Sequence, residues 1–150
     1  MMNTTKKNFE WRNYTLYMAW IVSMIATLGS LFFSEILGFI PCELCWFQRI
    51  MMYPLCIILG IATFYNEMNI KKYALPISVI GGSVSLYHYA IQKIPGVSEI
   101  NPCVQGVPCN VDYINWLGFI TIPFLALIAF CMITLFMLLT RSKNELIKNM

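Results

Sequence analysis

Four of the six cysteines fall in two close pairs, Cys42-Glu43-Leu44-Cys45 and Cys103/Cys109. A Cys-x-x-Cys cycles between dithiol and disulfide. At the start of a helix its thiolate gains from unpaired amide N–H groups and from the helix dipole. Arg49 follows Cys45 by four residues. In a helix beginning near Cys42, residues 42, 45 and 49 stand at i, i+3 and i+7 and share one face. A cation one turn below Cys45 stabilises a thiolate there and polarises the oxygen of an electron acceptor. The bland alternative is an arginine that snorkels to the headgroups. His88 is the only histidine, and Gln92 lies one turn beyond it. A lone helical histidine is often packed in hydrogen bonds, but its expected height in the bundle matches that of Arg49.

The elements that must position these residues are apolar helices. The chain has 150 residues, of which 59% are hydrophobic and only 11% charged. Soluble domains carry about 25% charged residues. The pattern predicts a single all-α membrane domain of four transmembrane helices, with spans at 14–33, 46–64, 74–91 and 116–140. The first apolar run exceeds a signal-peptide core and lacks an Ala-x-Ala cleavage pattern, so it reads as a retained helix. A net charge of +3 gives no reason to expect nucleic acid as a partner.

Eight of the ten Lys and Arg residues lie in the N-terminus, the 65–73 loop and the C-terminal tail. The positive-inside rule makes these segments cytoplasmic in a multi-pass cell-membrane protein. The cysteine loops, 34–45 and 92–115, then face outward, on the side where disulfides form and persist. Cys56 and Cys131 fall inside spans and read as small packing residues.

Structural disulfides are one alternative for the two pairs, although closing rings this short contributes only about 2 kcal/mol. A four-cysteine zinc site is another; the Cys-x5-Cys half is unusual for it, and neither loop holds a histidine. Spacing and compartment favour redox-active pairs with no metal. Two dithiol pairs on one face make a relay by thiol–disulfide exchange. Such a relay takes electrons from an external thiol donor, and a lipid-soluble two-electron acceptor such as a quinone suits a Cys-x-x-Cys beside a buried cation.

The stretch Pro41-Cys42-Glu43-Leu44-Cys45-Trp46-Phe47-Gln48-Arg49, continuing to Met52-Tyr53-Pro54-Leu55, resembles the first-loop motif of the disulfide bond formation protein B (DsbB) family, in its short Gram-positive, BdbC-like branch. His88 and Gln92 resemble that family's third-helix His-x3-Gln. Asn115-Trp116-Leu117-Gly118, with Pro123, resembles the start of its fourth helix. The resemblance covers roughly residues 12–140. It implies a quinone-dependent thiol–disulfide oxidoreductase that reoxidises an extracytoplasmic DsbA-like thioredoxin-fold thiol oxidase, with menaquinone or ubiquinone as acceptor, and so supports disulfide formation in exported proteins. Carried over by position, Cys45 faces the quinone, Cys42 takes electrons from the second loop, Cys103 joins the partner and Cys109 pairs transiently with Cys42. Arg49 and His88 lie at the quinone. The closer spacing of Cys103 and Cys109 departs from better-known members. A vitamin K epoxide reductase-like enzyme is the other redox reading, although that family places its Cys-x-x-Cys late in the bundle. A membrane scaffold with structural disulfides or zinc is the non-enzyme reading.

Overall fold

The computed structural model describes residues 2–94, 109 and 121–140. Among these described residues four α-helices form: α1 (Met2–Leu31), α2 (Glu43–Tyr65), α3 (Lys71–Lys93) and α4 (Ile122–Leu139). Each is long and apolar enough to cross a membrane. In hydrocarbon every backbone polar group must be satisfied within the protein, and a helix does so within its own segment. The protein is an all-α membrane helix bundle.

Local chemistry ends the helices. After α1 the chain makes a π-helical turn, Phe32–Ile36, so the first apolar segment runs on to Ile36, past the expected end at 33. Gly38 then takes a left-handed conformation, φ +69°, which glycine adopts without steric cost. The turn delivers Pro41 and extended Cys42 to the start of α2. At the far end of α2, left-handed Asn66 caps the helix, and the Glu67 N–H donates to the Ala62 carbonyl at 2.9 Å. Pro123 occupies the first turn of α4, where its missing N–H is harmless. The first residues of the expected fourth span, 116–120, and Cys103 lie outside the described residues.

The helices close a ring in which α1 packs on α2 and α4, and α3 packs on α2 and α4. Leu16 and Ala19 of α1, Leu55 and Leu59 of α2, and Phe130 and Ile133 of α4 meet at its centre. Gly81 lets α3 and α4 approach, because a Cβ there would collide with the Phe130 ring. Two hydroxyl pairs tie helices together: Thr15 with Thr140 at 2.9 Å, and Ser78 with Thr134 at 3.0 Å. Ile57, Ile61, Phe64, Leu135 and Leu138 face outward. Such an apolar exterior suits lipid. Cys131 is also exposed and Cys56 half-buried, so Cys131 is a surface residue of α4 where the sequence suggested packing.

Candidate redox site and its cavity

Cys42 is the residue before α2 and Cys45 lies in its first turn, so both thiols sit at one end of the bundle. Both are free, with their sulfurs 3.2 Å apart. The Trp46 N–H donates to the Cys42 carbonyl at 3.1 Å, which closes the first helical turn around the pair. Cys42 is buried and Cys45 half-buried.

The third helix supplies His88, only 1% exposed, to the same place. Its Nε2 lies 3.6 Å from the Cys42 sulfur and 3.2 Å from the Cys109 carbonyl oxygen. Its Nδ1 lies 3.1 Å from the amide nitrogen of Gln48. A carbonyl only accepts, so the proton belongs on Nε2, and Nδ1 accepts from the Gln48 amide. One imidazole therefore touches the first cysteine pair, the second loop and α2.

Cys109 is disulfide-bonded and 1% exposed. It shares a buried cluster with Cys42, Leu44 and Ile91. Three of the four cysteines expected at the site are thus described, and all three converge.

The Cys42 thiol, just ahead of the span that begins at Glu43, is pulled well below the ordinary thiol range. Its hydrogen bond with the Cys45 thiol is the main cause, opposed by burial and reinforced by the His88 hydrogen bond. Cys42 is therefore the residue of this pair that holds the thiolate in the reduced state, and a thiolate is the attacking form in exchange.

Below the pair lies a cavity of about 440 Å³, lined by Cys42, Cys45, Gln48, Arg49 and His88 together with apolar residues of α1, α2 and α4. The expected single face of Cys42, Cys45 and Arg49 is thus realised as one wall of this cavity. Arg49 donates to the Ser30 carbonyl at 3.1 Å, and its guanidinium sits 5.6 Å from the centre of the Trp46 ring. These contacts hold a charge inside the bundle end, where the planar guanidinium both donates and stacks. Gln92 lines the cavity one turn beyond His88.

Residues 12–140 match the profile of the family described as Disulfide bond formation protein DsbB. The chain belongs to that family. It is 62% identical over 130 residues to Disulfide bond formation protein C of Bacillus subtilis (strain 168), covering 87% of this chain and 94% of the relative. It is 57% identical over 119 residues to Probable disulfide formation protein C 1 of Bacillus cereus (strain ATCC 10987 / NRS 248), covering 79% and 86%. It is 44% identical over 130 residues to Probable disulfide formation protein of Coxiella burnetii (strain CbuK_Q154), covering 85% and 88%. No solved structure matches. Membership of the DsbB family makes this a membrane protein of disulfide bond formation with thiol–disulfide chemistry.

For this DsbB-family chain, sequence reasoning missed Gln48. Its signal was present: an amide inside an apolar span, three residues after Cys45 and beside Arg49. Gln48 is 6% exposed and directed at His88. The metal reading also changes footing. Neither loop holds a histidine, but α3 brings His88 to the pair, and one ligand atom from each of Cys42, Cys45 and His88 lies within 4.8 Å of the others.

Proposed function

We propose that this protein takes electrons from an extracytoplasmic thioredoxin-fold thiol oxidase at Cys103/Cys109, passes them to Cys42/Cys45, and delivers them to a membrane quinone. The observation that carries the reading is His88, whose Nε2 reaches both the Cys42 sulfur and the Cys109 backbone. Exchange between two pairs requires their sulfurs to meet, and packing that joins Cys42 and Cys109 in one buried cluster reduces the motion needed.

The steps balance in electrons and protons. A partner thiolate attacks the second-loop disulfide at Cys103 and releases the Cys109 thiolate. The partner's second thiol then closes the partner's own disulfide and frees Cys103. The Cys109 thiolate attacks the Cys42–Cys45 disulfide at Cys42, expelling Cys45 as a thiolate. Cys103 then closes on Cys109 and returns Cys42 as a thiol. Two electrons and one proton have moved from the partner's thiolate and thiol to the first pair, which is left as one thiol and one thiolate, the latter settling at Cys42 by proton exchange within the pair. His88 Nε2–H is placed to donate to sulfur at Cys42 as charge develops there.

The cavity fits a quinone head. Its volume lies within the range of about 300–1,000 Å³ usual for small-molecule sites. Among its lining residues Tyr53 and Thr121 carry buried hydroxyls with no hydrogen-bond partner among the described residues. These hydroxyls and Arg49 are donors suited to carbonyl oxygens. A bound quinone would supply the sink for the two electrons released as Cys42 and Cys45 close to a disulfide, with one proton coming from the pair and the other from solvent. Cys45, beside Cys42 on the cavity wall and nearer Arg49 in sequence, is the cysteine assigned to face it.

Basic-residue placement supports cytoplasmic termini and outward cysteine loops. Labelling of the reduced cysteines 42, 45, 103 and 109 by an impermeant thiol reagent only from the cytoplasmic side would reverse that orientation. For the relay, the test is a partner lacking its resolving cysteine, whose mixed disulfide accumulates. Mass spectrometry is expected to find it joined to Cys103. An adduct at Cys42 or Cys45 that forms equally well without the second-loop cysteines would reduce the relay to a one-pair enzyme.

A further inference from the structure

We propose that the reduced site is also a zinc site: Cys42, Cys45 and His88 bind one Zn²⁺, which blocks the relay until it is removed. The ion site stands apart from the quinone reading, whereas its blocking of exchange rests on the relay proposed above.

The donor set comes from two helices that the fold fixes against each other. A tetrahedral zinc with bonds of about 2.3 Å to sulfur and about 2.0 Å to nitrogen holds those atoms about 3.5 Å apart, and two sulfurs about 3.8 Å apart. Cys42 Sγ and His88 Nε2 are already 3.6 Å apart, and the two sulfurs are 3.2 Å apart. The cation therefore enters by opening the sulfur pair by about 0.6 Å and seating the Cys45 sulfur, within 4.8 Å of the imidazole, at bonding distance, which a side-chain rotation can reach. Two thiolates neutralise the dication, so the filled site carries no net charge into apolar surroundings.

Gln48 completes the arrangement. A ligating histidine usually donates its second ring N–H to an outer partner. Zinc on Nε2 places the proton on Nδ1, and a half-turn of the Gln48 amide presents its oxygen at that 3.1 Å contact. The fourth position faces the cavity that all three ligands line and takes a water. Binding is Zn²⁺ plus one thiolate and one thiol giving the dithiolate and one proton, with no change of oxidation state. The disulfide offers no thiolate, so only the reduced intermediate is trapped. Zinc also displaces the Nε2–H that now serves Cys42 and the Cys109 carbonyl, so the ion and the exchange geometry exclude each other.

The full chain in detergent, reduced and carrying Cys103→Ser and Cys109→Ser, is titrated with zinc against a chromogenic chelator. One zinc per chain is expected, and none for the oxidised first pair. Gln48→Leu is expected to weaken binding about 10–100-fold, and His88→Asn by more. X-ray absorption at the zinc edge should show two sulfurs with nitrogen and oxygen. On the unsubstituted reduced chain the same measurement covers any variant that fails to fold. A four-sulfur shell, an absence of stoichiometric binding, or an unchanged affinity in His88→Asn overturns the proposal. A chain that reduces quinone but binds no zinc leaves the relay standing.

Discussion

The Gln48 amide nitrogen on α2 lies 3.1 Å from His88 Nδ1 on α3, and it complements the tautomer with the proton on Nε2 that the Cys109 carbonyl requires. With Nδ1 accepting, Nε2 donates toward Cys42 and the Cys109 carbonyl. Replacing Gln48 by leucine leaves a buried ring nitrogen unsatisfied, at a cost of about 1–3 kcal/mol. Thermal unfolding of Gln48→Leu in detergent should show that loss. Single-turnover exchange between the two cysteine pairs should slow several-fold, while Gln48→Glu, able to accept from Nδ1–H, holds the opposite tautomer. Exchange in Gln48→Leu at the unsubstituted rate would confine Gln48 to packing.

Cys42 titrates below the ordinary thiol value of 9.0 because of Cys45 first and His88 second. Alkylation of Cys42 in the reduced chain should therefore stay fast from alkaline through neutral pH, where an ordinary thiol slows tenfold per pH unit. The stability contributed by this shift is complete above the unfolded thiol's value and is lost as pH falls through the lowered folded value. Cys45→Ala should move the alkylation profile upward the most, and His88→Ala by less. An inflection near 9 in the unsubstituted chain would contradict the thiolate assignment.

Arg49 stands in the cavity wall with its guanidinium held by Ser30 and Trp46. Arg49→Ala should raise the apparent KM for quinone at least tenfold and leave both disulfides able to form with a chemical oxidant. Arg49→Lys keeps the charge, loses the planar fork and should fall between. Unchanged quinone kinetics in Arg49→Ala would make the residue a headgroup anchor.

The α3–α4 contact depends on Gly81, over which the Phe130 ring sits. Gly81→Ala forces that ring aside, and overpacking of this kind costs about 1–3 kcal/mol. A lowered melting temperature in detergent is expected, together with weaker quinone use, because Phe130 also lines the cavity. A melting temperature equal to that of the unsubstituted chain would show that the ring has room to move.

Hydropathy and spacing alone set out four apolar helices and a Cys-x-x-Cys at the head of the second. Hydropathy suffices for the helices because lipid leaves the backbone no other partner. Spacing suffices for Cys42, Cys45 and Arg49 because one helix carries all three from a single turn onward. The family resemblance named His88 and Cys109 as their partners, but the contacts themselves and the part of Gln48 come only from packing between helices. Which way α3 faces is settled by side-chain packing across helices, including the Phe130 ring on Gly81, and no local pattern encodes that rotation. That packing brings His88 to Cys42, Gln48 and Cys109, joining positions 40 or more residues apart in chain with one only 21 away. The cavity, too, exists only between helices: its wall takes residues from all four, and none of them borders a space until the ring has closed.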